Sequence, residues 1–168
     1  SSDLCGHYND PTHECTCPPG AVHRYLSRIS GPLMDRIDIQ VEITPVPFNE
    51  LSKQAQGEPS SHIRERVIKA RHIQEQRFSR TDQVYCNAQM TPKMMREYCK
   101  LDEQCTGMVS FAMAKLGLSA RAYDRILKLA RTIADLDPQS SIEEPIEINI
   151  SHLSEAISYR TLDRSDWL

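Results

Sequence analysis

The clearest periodic stretch runs from Gly117 to Leu136. Apolar residues recur at Tyr123, Ile126, Leu127, Ala130, Ile133 and Ala134, the three-and-four spacing of a helix with one buried face. Ser119 is placed to cap the first turn, because its hydroxyl can accept a free backbone N–H; Pro138 ends the helix. Just before it, Asp102 caps a helix through Leu116, with Cys105, Met108, Val109, Ala112, Met113 and Leu116 as its buried stripe. Thr91-Pro92 opens a shorter helix to Cys99, with proline in the first helical position. A long helix is expected from Ser60 or Ser61 to about Phe78, with Ile63, Val67, Ile68, Ala70 and Ile73 inward.

The N-terminal third reads differently. Ala21 to Ile29 can form a short helix with Tyr25, Leu26 and Ile29 on one side. Ser30-Gly31-Pro32 starts a turn or two more. Ile37-Asp38-Ile39-Gln40-Val41-Glu42-Ile43 alternates apolar and polar, which predicts a strand that buries its isoleucines and anchors Arg36 at its start. Thr44 to Pro59 is polar and proline-containing, a linker. A short strand-like run at Ile146 to Ile150 precedes a last helix capped by Ser151.

Charge adds one oddity. Arg121 falls in the first turn of its helix, where the helix end is partly positive and a cation costs about 0.3–1 kcal/mol. Free N–H groups beside a guanidinium suit an anion such as phosphate; a solvated surface arginine is the plain alternative. The basic residues of the 60–78 helix read as a solvated face with partners such as Glu65–Lys69, and Arg36 has Asp35 and Asp38 as candidate partners. Net charge is −3 over 168 residues, so there is no global basic signal for nucleic acid. No apolar run reaches the ~18 residues of a membrane helix, and a cytoplasmic, reduced setting is expected. The absence of an initiating Met suggests a piece of a longer protein.

Cys5, Cys15 and Cys17, with His7 and His13, could supply four zinc ligands, although C-x9-C-x-C fits no common finger. The alternative is a set of reduced thiols in a polar loop. Cys86, Cys99 and Cys105 read as small core residues. None of the six glycines is followed by Lys, so there is no phosphate loop, and neither a magnesium-holding Asp-Glu nor a nucleophilic triad stands out.

Two segments together resemble one family. S-G-P-L-M-D-R-I-D-I (Ser30 to Ile39) and G-L-S-A-R-A-Y-D-R-I-L-K-L-A-R-T-I-A-D-L (Gly117 to Leu136) are similar to motifs of the magnesium-chelatase-like AAA+ ATPases, in the ComM/YifB branch. Ile150 to Arg160 is similar to the family's closing helix, and C-G-H-Y-N-D…C-T-C-P-P-G also matches, so the resemblance covers nearly the whole chain from Cys5. It implies a mainly α chain: a helical lid over residues 60–168, a linker over 46–59, and the tail of the α/β ATPase core over 1–45. By the same resemblance Arg36 is an arginine finger offered to ATP on a neighbouring subunit, and Arg121 is the sensor-2 arginine offered at home. Both are implied catalytic and ATP-binding residues, with Mg²⁺ as the second cofactor. Hexameric rings and DNA, as in branch migration during transformation, are the implied partners, with no membrane. The family's C-P-C-G is replaced by Asp3-Leu4-Cys5-Gly6. A zinc site on Cys5, Cys15 and Cys17 therefore needs His13, His7 or Asp3 to complete it. The rival expectation is a zinc-stabilised helical adaptor that binds DNA or protein through its basic helix.

Overall fold

A computed structural model describes residues 4–10, 12–43, 46 and 57–160. Among them every regular element is helical: α1 (Ala21–Leu26), α2 (Gly31–Met34), α3 (Ser60–Phe78), α4 (Pro92–Tyr98), α5 (Glu103–Leu116), α6 (Ala120–Leu136) and α7 (Ile150–Ser158), with a 3-10 turn at Asn87–Gln89. The mainly α class is therefore as expected, and most of the linker lies outside the described residues.

The helix ends follow local chemistry. Thr91, Asp102 and Ser119 accept from Met94 N, Cys105 N and Ala122 N, as their positions predict. Gly117 closes α5 at φ 52°, in the left-handed region that suits a residue without a side chain. The last helix is capped two residues earlier than expected. Asn149, rather than Ser151, is the cap, and His152 returns the bond to the Asn149 N–H.

The core forms around α6. Ala130 and Ala134 of α6 and Ala156 of α7 are fully buried in one cluster, so the two helices meet across small residues while Ile126, Leu127 and Leu153 fill the space beside them. Each such aliphatic side chain contributes roughly 1.5–3 kcal/mol on burial. Phe78, Met95, Cys99, Cys105 and Val109 complete the cluster from α3, α4 and α5. Ile148 joins it from an extended segment that pairs with no strand among the described residues.

Charge is also buried in this core. The Asp135 carboxylate is fully buried, accepting from Arg77 Nη1 at 2.7 Å and Nη2 at 2.5 Å, from Asn87 Nδ2 at 2.7 Å and from Arg131 Nε at 3.2 Å. Arg131 also donates to Ile146 O, and Gln74 Oε1 accepts from Asn87 N at 3.2 Å. Arg77 thus belongs to the interior, not to the solvated basic face expected for α3.

Three other expectations are corrected. Ile37, Ile39, Val41 and Ile43 do not bury: they are 39%, 49%, 62% and 87% exposed, while Gln40 between them is buried. A strand is held by its neighbour, and none is present among the described residues. α1 stops at Leu26, with Tyr25 and Ile29 exposed. On α3 the inward set begins only at Ala70; Ile63, Val67 and Ile68 are exposed, and Lys69 donates to Pro138 O at 2.8 Å instead of pairing with Glu65.

Truncating Asp135 to Ala leaves Arg77 and Arg131 buried without their carboxylate. The expected loss is about 3–5 kcal/mol in denaturant unfolding of the chain. A loss under about 1 kcal/mol would mean that the network is not stabilising.

Candidate functional site

Ser119 begins the site. Its Oγ accepts from Ala122 N at 3.1 Å and donates to Asp35 Oδ2 at 3.0 Å, so one hydroxyl caps α6 and holds the segment after α2 against it. Arg121, two residues on, is exposed. It lies at the wall of a cleft of about 420 Å³ with Arg125, Lys128, Asp38 and Asp124. Arg121, Arg125 and Lys128 recur at helical spacing, so one face of α6 carries three cations. Arg125 is taken by Asp38, and Lys128 Nζ donates to Ala88 O at 2.9 Å. Arg125 and Lys128 were missed in the sequence; the signal was there in R-x-x-x-R-x-x-K on the face away from the apolar stripe.

Arg36 is exposed, and its Nη1 donates to Pro32 O at 2.8 Å. The two carboxylates expected as its partners serve others. Asp35 meets Ser119 and, at 3.8 Å, Arg160; Asp38 meets Arg125. The guanidinium of Arg36 is thus bonded to a backbone carbonyl of the short helix α2 that precedes it.

The cysteine loop forms two groups. Cys5, Cys15 and Cys17 bring their sulfurs together, with Cys5 Sγ 3.5 Å from Cys15 Sγ and 3.3 Å from Cys17 Sγ. Tetrahedral zinc with bonds near 2.3 Å would set sulfurs about 3.8 Å apart, so a small opening of this trio accommodates it. The His7 N–H and the Cys17 thiol, both donating to Cys5, lower that thiol to about 6, toward the thiolate that binds metal. His13 is not with the thiols. Its Nδ1 lies 3.3 Å from Asp10 Oδ2, which also receives His7 Nδ1 at 3.2 Å, and the two rings stack. Asp10 is held well below the usual carboxylate range, first by the Thr12 hydroxyl and then by the Thr12 N–H. The three cysteines are gathered; His13 forms a second set with His7 and Asp10. Asp3 lies outside the described residues.

Comparison with known proteins places this helical array in a class. The family described as magnesium chelatase, subunit ChlI C-terminal, matches residues 57–160, and the one described as magnesium chelatase, subunit ChlI, matches residues 2–51. The chain belongs to the magnesium chelatase ChlI family. Within it, the chain is 41% identical over 160 residues to competence protein ComM of Haemophilus influenzae and 42% identical over 160 residues to the uncharacterized protein YifB of Escherichia coli, covering 95% of this chain in each case. A Mycobacterium bovis protein, Mb2921c, is 31% identical over 90% of the chain. The chain spans 28–29% of the length of these relatives. No helix among the described residues is long and apolar enough to cross a membrane.

Ser119→Ala removes both the cap and the contact to Asp35. The expected cost is about 1 kcal/mol, read as a lower denaturation midpoint. Ser119→Asp, which can cap but would face the Asp35 carboxylate, is expected not to recover the full amount.

Proposed function

We propose that this chain is part of an AAA+ motor ATPase, with ATP and Mg²⁺ as cofactors. Residues 1–45 would be the tail of the ATPase core and residues 60–168 its helical lid. The observation that carries the reading is Arg121: an exposed cation in the first turn of a capped helix, at the wall of a cleft it shares with Arg125 and Lys128. The helix start provides N–H groups and a partial positive charge, and the guanidinium adds a planar pair of donors, so a phosphate group is well matched there.

Two arginines then divide the work. Arg36 reaches the γ-phosphate of ATP on a neighbouring subunit, exchanging Pro32 O for a phosphate oxygen. Arg121 reaches the nucleotide of its own subunit from the lid. Both stabilise negative charge that spreads over the phosphate oxygens during transfer to water. A finger acting across a boundary requires a neighbouring subunit, and a hexameric ring is the assembly we assign. DNA is the substrate we assign, and one relative is named as a competence protein. A cytoplasmic location belongs to the same reading. Cys5, Cys15 and Cys17 would hold a zinc ion that ties residues 5–17 into one unit, with His13 available as a fourth ligand after a change in its turn.

In the full-length ATPase, Arg36→Ala is expected to lower ATP turnover by about 10³-fold or more. For Arg121→Ala the expected loss is about 10²–10³-fold. Turnover within threefold of the parent for both variants would overturn the reading.

The adaptor reading has one observation in its favour. The first half of α3 leaves Ile63, Val67 and Ile68 exposed among Arg64, Arg66 and Arg71. A DNA titration over salt separates the two. A lid segment binds duplex DNA weakly with a shallow slope, whereas an adaptor making six phosphate contacts loses about 10³-fold in affinity between 50 and 200 mM salt.

A further inference from the structure

The segment that carries Arg36 is fastened to the helix that carries Arg121, at points on both sides of each arginine. Asp35 accepts from Ser119 Oγ at 3.0 Å. Asp38 pairs with Arg125. Ile37 O accepts from Arg160, and Tyr159 O accepts from Gln40 N at 3.1 Å, both from the end of α7. Residues 35, 37, 38 and 40 are therefore all held by the α6–α7 pair, while Arg36 itself stays exposed. On α6 the two holding residues, Ser119 and Arg125, lie on either side of Arg121, about 9 Å apart along the helix axis.

From this clamp, and resting on the roles assigned above to Arg36 and Arg121, we infer that Arg125 is a positioning residue: by holding Asp38 it makes the finger segment move with α6. The clamp mixes strong and weak parts. The Ser119 hydroxyl donates to Asp35 while its oxygen accepts from Ala122 N, and both contacts are part-buried. Asp38 is different. Its side chain is 62% exposed and that of Arg125 25% exposed, so water competes for the pair and it can open and close. A nucleotide that draws Arg121 toward its phosphates shifts the first turns of α6. Asp35 and Asp38 pass that shift to Arg36, which faces the adjoining subunit's nucleotide. The state of one site is thereby relayed to the chemistry at the next, and Arg125 needs no contact with either nucleotide to do it.

The test uses the full-length ATPase. Arg125→Ala and Asp38→Asn are each expected to lower kcat about tenfold, to bring the Hill coefficient for ATP close to one, and to leave the Kd for a non-hydrolysable ATP analogue within twofold. The charge exchange Arg125→Asp with Asp38→Arg is expected to recover at least a third of kcat. A fall in nucleotide affinity that matches the fall in kcat, an unchanged Hill coefficient, or an exchange no better than the single variants would overturn the inference. Asp38→Asn alters an exposed side chain and carries the test should Arg125→Ala fail to fold. Arg36→Ala is measured alongside. If it abolishes turnover while Arg125→Ala and Asp38→Asn leave turnover unchanged, the finger assignment stands and the clamp is wrong. If Arg36→Ala leaves turnover intact, the finger assignment itself is wrong.

Discussion

The Asp135 carboxylate fixes where three segments meet. Arg77 reaches it from α3, Asn87 from the 3-10 turn and Arg131 from one turn earlier on α6. A buried charge must be surrounded by partners in good geometry, because burial without them costs several kcal/mol. That demand sets the register of α3 against α6. Once it is met, the alanine face of α6 is turned toward α7 and its cationic face toward the cleft. The position of Arg121 is thus a consequence of a carboxylate four turns further along the same helix.

Apart from the buried Arg131–Asp135 pair, packing and charge occupy different faces of α6. The small residues Ala130 and Ala134 allow close approach of α7, and the end of α7 in turn holds the segment after α2 through Arg160 and Tyr159. The result is continuous: core network, helix α6, helix α7, then residues 35–40. A local change at the start of α6 has a short physical route to Arg36, through side chains that each make a defined contact.

Helix ends were the most legible part of the sequence. Thr91, Asp102 and Ser119 cap helices through bonds to residues three positions on, so the information is local. Burial on α3 was harder. The spacing of Ile63, Val67 and Ile68 suits a core face, yet α6 meets only the second half of the helix. Arg77 read as one more surface cation, because nothing local indicates that Asp135 lies 58 residues away in the chain and directly opposite in space. The alternation at Ile37 to Ile43 is a sound strand pattern whose outcome depends on a pairing partner elsewhere. In the cysteine loop, composition named the three thiols but could not place His13. The turn in which Thr12 N donates to Asp10 Oδ1 at 2.8 Å swings that ring to Asp10 and His7. The family was legible because its two long motifs are the stretches that build the clamp and the α6 face.

The extended stretch Ile37 to Ile43 has a practical corollary. It displays branched side chains on alternate positions, and its backbone lies beside no other strand among the described residues. Extended backbone with branched side chains exposed is suited to pairing with another extended segment, except where Gln40 N and Ile37 O are already held by Tyr159 and Arg160.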